Sequence, residues 1–174
     1  MPFKVPAQLD TARLRLRQFR EQDWDSMAQY YGDAEINRFT SGKTLTRAEA
    51  WRSIACMIGH WQIHGYGPYA LEHRETGKVI GVSGFWYPGG WPEPEIKWGL
   101  LREYWGQGYA GEAAQAVLRA GNQYLPDIHL ISLIHHNNQA SIKLALSLGA
   151  RFEQEIDFWW DRFRIYRHRK DDCG

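Results

Sequence analysis

A glycine-rich segment in the second half of the sequence has the residue types of a phosphate-binding loop. It reads Trp105-Gly106-Gln107-Gly108-Tyr109-Ala110-Gly111-Glu112 and lies between a predicted strand and a predicted helix. Because glycine has no Cβ atom, the backbone at Gly106 and Gly108 can approach a ligand closely. The free N–H groups in the first turn of a helix attract an anion such as a pyrophosphate. The segment therefore predicts an anion site, with a glycine-rich turn that binds no ligand as the alternative.

Other nucleotide-binding motifs fit this segment less well. Gly106, Gly108 and Gly111 satisfy the pattern G-x-G-x-x-G of a dinucleotide site. That fingerprint belongs in a first strand-helix turn and expects an acid at the end of the next strand, whereas the next predicted strand ends in His135-His136-Asn137. The P-loop pattern G-x-x-x-x-G-K-[ST] does not occur. A dinucleotide-binding enzyme is therefore disfavoured.

The elements around the loop predict a mixed α+β domain. Strict alternation of apolar and polar residues over 14–19 indicates a half-buried strand that opens the fold. Thr46 and Glu49 form a capping box for a long helix that ends before Gly65. Further strands are predicted at 68–72, 79–86, 95–100, 129–135, 152–159 and 163–169, and helices at 23–31, 46–64, 108–124 and 138–148. A meander followed by one strand-helix-strand crossover predicts a mixed sheet flanked by helices.

Length and composition predict a single domain over residues 9–169, with tails at 1–8 and 170–174. The chain has 174 residues and a net charge of +1, which argues against extensive binding to nucleic acid or to an anionic membrane. Cys56 and Cys173 form no C-x-x-C motif, as is typical of a reducing compartment. No signal-peptide or membrane-spanning pattern is found. We expect a cytoplasmic protein, either a monomer or a homodimer.

Four segments, in their order and spacing, carry a resemblance to a known family. They are Leu9-Asp10-Thr11-Ala12-Arg13-Leu14-Arg15-Leu16-Arg17, Glu95-Ile96-Lys97-Trp98-Gly99-Leu100, Tyr104-Trp105-Gly106-Gln107-Gly108-Tyr109-Ala110, and Asn138-Gln139-Ala140-Ser141 followed by Leu148-Gly149. Together they resemble the GNAT N-acetyltransferase superfamily, in particular its ribosomal-protein N-terminal acetyltransferase (RimJ/RimL-like) branch. Two positions depart from the family pattern: Trp105 replaces a Gln or Arg, and Ala145 stands where many relatives have a general-acid Tyr.

The resemblance implies a GNAT-like fold with a central, mostly antiparallel sheet of six to seven strands flanked by about four helices. It implies acetyl-CoA as co-substrate. It also implies a bulge that separates the central strand from its crossover neighbour, so that backbone N–H groups near Trp98 and Leu100 face the thioester arm. The cofactor-binding residues expected on this basis are Trp98, Leu100, Gly106, Gln107, Gly108, Tyr109, Ala110, Gly111 and Asn138.

The chemistry that the resemblance implies needs a base, a stabilised carbonyl oxygen and a proton for the departing thiolate. We expect Glu95 to be the base, with Glu93 in reserve; the alternative is a solvated strand acid that offsets Lys97 or Arg102. In the resembled branch the Ser of Asn-x-x-Ser is the usual proton donor, which corresponds to Ser141. Capping the helix that they begin is the alternative role for Asn138 and Ser141.

These residues predict an acetyl-CoA-dependent N-acetyltransferase that acts on a primary amine by direct attack in a ternary complex. The acceptor is a protein N-terminal α-amine or a small-molecule amine. The alternative is a non-catalytic CoA-binding sensor or interaction domain.

Two further patterns predict no additional partner. His60 and His64 have the i, i+4 spacing of a zinc helix but lack its glutamate and a third ligand, so no metal is expected. The basic residues interleaved with Phe163 and Tyr166 fit a strand with one solvated face, so nucleic-acid binding is not expected either.

Overall fold

The computed structural model describes residues 3–170 and contains an eight-stranded sheet. The strands are β1 Gln8–Asp10, β2 Leu14–Arg17, β3 Pro68–His73, β4 Val79–Trp86, β5 Glu95–Leu100, β6 Ile131–His135, β7 Arg151–Phe158 and β8 Asp161–Arg167. Their order in the sheet is β1-β2-β3-β4-β5-β6-β8-β7. All neighbours are antiparallel except β5 and β6, which are parallel. The helices are α1 Trp24–Gly32, α2 Ala34–Asn37, α3 Arg47–His64, α4 Tyr109–Tyr124 and α5 Gln139–Ser147.

Helices cover both faces of the sheet because each strand alternates its side chains between the faces. On one face, buried residues of α1 and α3 pack against Ala70, Val79 and Val82. On the other, Ala113 and Val117 of α4 pack against β4 and β5. A smaller cluster joins α5 to β6 and β8. The α4 helix therefore lies under the central strands, and its N-terminus projects at the end of β5.

The predicted fold class is confirmed, with a few added elements. The sheet has eight strands rather than six to seven, because the three residues of β1 pair with β2 and the structure therefore opens before residue 14. A strand this short carries no usable alternation. The four-residue α2 was also missed, since Asp33 caps it but one turn shows no helical period. Within the expected tail 1–8, Val5 is fully buried; Cys173 and residues 171–174 lie outside the described residues.

The two parallel strands at the centre separate almost as soon as they pair. Only Glu95 and Ile131 are opposed in register. The expected bulge in the central strand is wrong, because β5 pairs with β4 in unbroken register. Side chains replace the backbone ladder instead: Glu95 accepts a hydrogen bond from Leu133 N–H at 3.0 Å, and Ser132 Oγ donates to Ile96 O at 2.7 Å. Beyond these bonds the strands diverge and leave a V-shaped opening.

Within residues 3–170, no helix has both the length and the hydropathy needed to cross a membrane.

Candidate active site

The glycine-rich loop presents an open backbone surface at the N-terminus of α4. Gly106 and Gly108 have φ angles of 70° and 82°, in the left-handed region that favours glycine. A Cβ atom at Gly106 would meet nothing within 4 Å, so this face of the loop is accessible. Glu112 N–H is the first to bond back into the helix, to Gly108 O at 3.1 Å. The preceding N–H groups, at residues 109–111, therefore point outward at the positive end of the helix dipole.

Arg13, from the turn between β1 and β2, holds this loop in place. Its Nη1 donates to Gln107 O at 3.0 Å and its Nε to Glu112 Oε1 at 2.8 Å. The guanidinium also lies 4.0 Å from the ring centroid of Tyr109. Because Arg13 is distant in sequence, no local pattern linked it to the loop. Because its charge is paired with that of Glu112, Arg13 positions the loop beside the predicted anion site and adds no net charge.

Every second residue of β5 directs its backbone N–H and C=O groups into the V-shaped opening. Ile96 O accepts the Ser132 bond across the opening, which fixes the direction of the backbone groups of Ile96. In a strand, the N–H and C=O of residues i, i+2 and i+4 point the same way. The N–H groups of Trp98 and Leu100 therefore face β6, as the sequence led us to expect.

Glu95 is buried where β5 and β6 separate. The residue is 6% exposed, and its carboxylate accepts hydrogen bonds from Trp91 Nε1 at 2.9 Å and Leu133 N–H at 3.0 Å. Burial raises the pKa of Glu95 to about 7, although these bonds and the nearby Lys97 oppose the shift. It is therefore not the solvated strand acid of the alternative interpretation. A carboxyl group with a pKa near 7 can exchange protons at neutral pH.

Asn138 and Ser141 lie at the start of α5, across the opening from β5. Asn138 Oδ1 accepts from Ser141 N–H at 3.3 Å, so Asn138 caps the helix. The hydroxyl of Ser141 has a different partner: its Oγ accepts from Trp98 Nε1 at 3.2 Å. The bond to Trp98 leaves the hydroxyl proton of Ser141 available for donation. The arrangement thus assigns capping to Asn138 and keeps the Ser141 hydroxyl in the opening.

The reserve candidate Glu93 is held by an ion pair. Arg167 donates to both of its carboxylate oxygens, at 2.9 and 2.7 Å, and also contacts Glu153 at 2.9 Å. These acids hold the pKa of Arg167 above its usual value. Because a cationic guanidinium holds both of its oxygens, Glu93 is a poorer base than Glu95, whose oxygens accept only from neutral N–H groups.

A cavity of about 440 Å³ lies between the hairpin β7–β8 and the face of the sheet that α1 and α3 cover. Its lining includes Glu95, Trp98 and Ser141 from the predicted set. Most of the other lining side chains are aromatic or apolar. The aromatic ones are Tyr30, Tyr31, Phe39, Trp86, Trp91, Trp159 and Phe163. The size and apolar character are those of a small-molecule pocket.

The histidines on α3 have a structural role. His60 Nδ1 donates to Tyr66 O at 2.9 Å, and His60 Nε2 accepts from Tyr87 N–H at 2.8 Å. Both ring nitrogens are therefore occupied, and burial lowers the pKa of His60 to about 4. Near the cavity, ligand atoms of His135, His136 and Asp161 lie within 4.8 Å of one another. There His135 already bonds Asp161 and Asn137 N–H, which ties the β7–β8 hairpin to β6.

The predicted site residues thus fall into two adjoining regions. Glu95, Trp98 and Ser141 line the cavity, whereas the loop residues 106–111 lie outside it at the N-terminus of α4. Sequence reasoning assigned no site role to Lys97, although it lines the cavity. The alternation of side chains along β5 places Lys97 on the same face as Glu95, and this pattern could have indicated from the sequence that Lys97 lies near the site.

Comparison with known proteins identifies the class of this fold and site. A family model for the acetyltransferase (GNAT) domain matches residues 13–151, most of the chain. The chain therefore belongs to the GNAT acetyltransferases. It is an acetyltransferase with acetyl-CoA as its co-substrate, which confirms the predicted enzyme class and co-substrate.

Individual relatives agree with this assignment. The chain is 31% identical over 149 residues to a Bacillus licheniformis protein described as uncharacterized N-acetyltransferase p20, covering 84% of this chain and 83% of that protein. An acetyltransferase from Agrobacterium tumefaciens str. C58 superposes with a TM-score of 0.84 at 25% identity over 96% of both chains. RimL, a ribosomal L7/L12 alpha-N-protein acetyltransferase in complex with coenzyme A, superposes with a TM-score of 0.78 at 19% identity. The superposition covers 98% of this chain and 99% of the RimL chain. This last likeness concerns the fold alone.

Proposed function

We propose that this acetyltransferase passes the acetyl group directly to a primary amine in a ternary complex. The observation that carries the proposal is the burial of the Glu95 carboxylate, with a raised pKa, in the wall of the cavity at the V-shaped opening. A direct transfer needs a base for the amine at this position and no nucleophile on the protein. Acetyl-CoA supplies the acetyl group as an activated thioester.

The residues present fit the co-substrate. The outward N–H groups at the start of α4 and the open backbone at Gly106 suit a diphosphate. Gly106, Gln107, Gly108, Tyr109, Ala110 and Gly111 would hold it. Trp98 and Leu100 would hold the thioester arm through their backbone N–H groups, and Asn138 would contact it from α5. Arg13 would keep the loop in this position through its bonds to Gln107 and Glu112.

The proton transfers are assigned to two side chains. Glu95 takes a proton from the ammonium form of the acceptor, directly or through water, because an α-amine with its ordinary pKa near 8 is mostly protonated at pH 7. As the new N–C bond forms and the C–S bond breaks, the N–H groups of Trp98 and Leu100 stabilise the carbonyl oxygen. The Ser141 hydroxyl gives its proton to the departing sulfur, and it regains a proton through water when the new amide nitrogen releases its extra one. The proton that Glu95 took from the ammonium form passes to solvent.

The proposal also covers the acceptor and the setting of the reaction. The sequence motifs favour the RimJ/RimL-like branch, in which the acceptor is a protein N-terminal α-amine, but the size and apolar lining of the cavity suit a small-molecule amine equally well. We propose that the domain of residues 9–169 works in the cytoplasm as a monomer or homodimer, without nucleic acid or membrane partners. The near-zero net charge supports the part of this proposal that concerns nucleic acid and anionic membranes.

Steady-state kinetics tests direct transfer. Thiol release from acetyl-CoA is measured over a panel of amino acids, small amines and short peptides, with both substrates varied. Intersecting double-reciprocal lines are expected. Parallel lines would contradict the ternary complex, and the absence of thiol release with every amine would favour the CoA-binding sensor. Binding of acetyl-CoA in that case would still raise the melting temperature.

A further inference from the structure

Two opposite charges lie next to each other on the cavity face of β5. Glu95 and Lys97 are two residues apart in a regular strand, so both side chains leave the same face. Two strand residues span about 7 Å. The pairing of β5 with β4 is unbroken through both positions, which fixes this spacing. The cavity wall therefore carries a carboxylate and an ammonium group at a fixed separation.

Lys97 is held in place by an aromatic ring. Its Nζ lies 4.0 Å from the ring centroid of Trp86, and Trp86 stacks on His60 with 5.0 Å between ring centroids. Among the described residues, no carboxylate oxygen lies within ion-pair distance of Lys97. Burial lowers the pKa of Lys97 to about 8, so the ammonium form still predominates at pH 7. The cavity wall thus keeps a fixed cation whose hydrogen-bonding capacity is open.

The remaining lining has little charge. Among the described residues that line the cavity, Glu95 is the one acidic residue, and Lys43 and Lys97 are the two basic residues. Lys43 is exposed at the rim, whereas Lys97 lies on the central strand. Aromatic and apolar groups make up most of the rest. A ligand that matches this cavity has a cationic group, an anionic group close to it and a large apolar body.

We propose that the acceptor is a free α-amino acid with an aromatic or large apolar side chain, whose α-amine lies at Glu95 and whose carboxylate binds Lys97. This inference rests on the proposed function and decides between its two classes of acceptor. The amine and the carboxylate of an amino acid share one carbon atom, so together they can bridge a short acid-base pair. Its side chain then fills the aromatic part of the cavity.

A protein N-terminus matches these charges less well. Its α-amine is followed by a neutral amide, which cannot neutralise Lys97. The ammonium of Lys97 would then lose solvent without gaining an ionic partner, which is unfavourable. A simple amine without a carboxylate has the same shortcoming. Lys97 is therefore a specificity-determining residue, and it selects for the carboxylate.

Matched substrates test this role of Lys97. We would measure kcat/KM for phenylalanine, phenylalaninamide and the peptide Phe-Gly-Gly in the wild type and in Lys97→Met. The amide and the acid differ in the basicity of their amines, so the informative quantity is the acid-to-amide ratio in the wild type divided by that ratio in the variant. Loss of one charge-assisted hydrogen bond predicts a change of about 10- to 100-fold, mainly in KM for phenylalanine.

The controls separate specificity from folding and from general charge effects. Lys143→Met removes an exposed lysine of α5 and should leave the ratio unchanged. Activity of Lys97→Met on phenylalaninamide reports that the variant is folded. If Lys97→Met loses all activity, Lys97→Gln is measured in the same way, with its melting temperature. Glycine should be a poorer acceptor than phenylalanine, because it leaves the aromatic part of the cavity empty.

The outcomes are distinguishable. If amines react but the ratio is the same in the wild type and the Lys97 variants, this proposal is overturned and direct transfer stands. A preference for Phe-Gly-Gly over phenylalanine in the wild type overturns it in favour of a peptide acceptor. A shift of the ratio in Lys43→Met but not in Lys97→Met moves the carboxylate site to the rim and also overturns it. No thiol release with any amine removes both proposals together.

Discussion

The loop at residues 106–111 and the acceptor cavity meet at the V-shaped opening but present different kinds of groups. The loop presents backbone N–H groups, and its glycines leave this surface free of side chains. The cavity presents side chains, with Glu95 and Lys97 of β5 among aromatic rings. A backbone site recognises a part of the ligand that never changes, whereas a side-chain site can change its acceptor by substitution. Changes in the two regions should therefore affect different kinetic constants.

The largest effect is expected for Glu95→Gln. Loss of the base should lower kcat by about 10²- to 10⁴-fold, while the dissociation constant of acetyl-CoA stays nearly unchanged. In the wild type, Glu95 must be deprotonated to act, so kcat should fall as the pH drops below about 7. The variant should lose that inflection. Measurement of kcat against pH, with acetyl-CoA affinity by calorimetry, checks both statements.

Glutamine keeps a carbonyl oxygen that can accept from Leu133 N–H, so the variant should remain folded. An unaltered pH profile in Glu95→Gln would rule out the base assignment. A large loss of acetyl-CoA affinity in Glu95→Gln would show that the cavity also controls acetyl-CoA binding. Changes in the loop and in the cavity would then not affect different kinetic constants.

The second effect belongs to the loop. Gly106→Ala places a methyl group on the open backbone face and should weaken acetyl-CoA binding by about 10- to 100-fold, the equivalent of one charge-assisted hydrogen bond. Gly77→Ala is a matched control: Gly77 has φ of 72° against 70° for Gly106, and a Cβ atom there would also meet nothing within 4 Å. Both should lose about 1 kcal/mol of stability from left-handed strain.

Calorimetric titration and thermal unfolding of the two variants measure these terms separately. Equal acetyl-CoA affinity in Gly106→Ala and the wild type would remove the loop from the binding site. Equal losses of affinity in both glycine variants would mean that strain, and not the added methyl group, is responsible.

How much of the site could be predicted follows from the same contrast. The loop was predictable because its glycines and the helix that follows are contiguous, so a local pattern carries the whole feature. Val79–Trp86 and Glu95–Leu100 were predicted with correct bounds because turn residues flank both strands. The base candidate Glu95 came from the resemblance, and its burial could not be inferred from β5 alone.

The shape of the cavity was not predictable, because its lining comes from distant segments. Tyr30 belongs to α1, Cys56 to α3, Trp86 to β4 and Trp159 to the β7–β8 hairpin. No sequence window contains two of these elements, and each aromatic residue alone is typical of a core. The widening between β5 and β6 was expected from a bulge, yet β5 stays in register with β4, and side chains of residues 95 and 132 bond across the two strands where they separate.

A smaller effect is expected at the junction of the two regions. Ser141→Ala removes the proposed proton donor and should lower kcat by about tenfold, because a thiolate leaves readily even without a proton. Ser147→Ala is the control on the same helix; its hydroxyl bonds only Leu144 O, on the exposed side. Single-turnover rates for both variants are the measurement. An unchanged rate in Ser141→Ala leaves the hydroxyl with only its contact to Trp98.

The smallest effect concerns the pH dependence of the cavity wall. Burial lowers the pKa of His60 to about 4, against 6.5 for an ordinary histidine. The unfolded chain therefore binds the proton first, so the stability contributed by neutral His60 is present above pH 6.5 and is lost as the pH falls towards 4. The slope from one such group is at most about 1.4 kcal/mol per pH unit. His168, whose pKa burial also lowers to about 4, adds a similar contribution.

His60→Gln should flatten this dependence, because glutamine can donate and accept but does not titrate. Between pH 6.5 and 5, the wild type should lose more stability than the variant by about 1 kcal/mol, a difference of roughly 2–4 °C in melting temperature. His129→Gln, at an exposed position, is the control and should keep the wild-type slope. Since His60 supports Trp86, and Trp86 holds Lys97, acidification should weaken acceptor binding before acetyl-CoA binding. Equal slopes in His60→Gln and the wild type would show that His60 takes up its proton without cost to the stability of the fold.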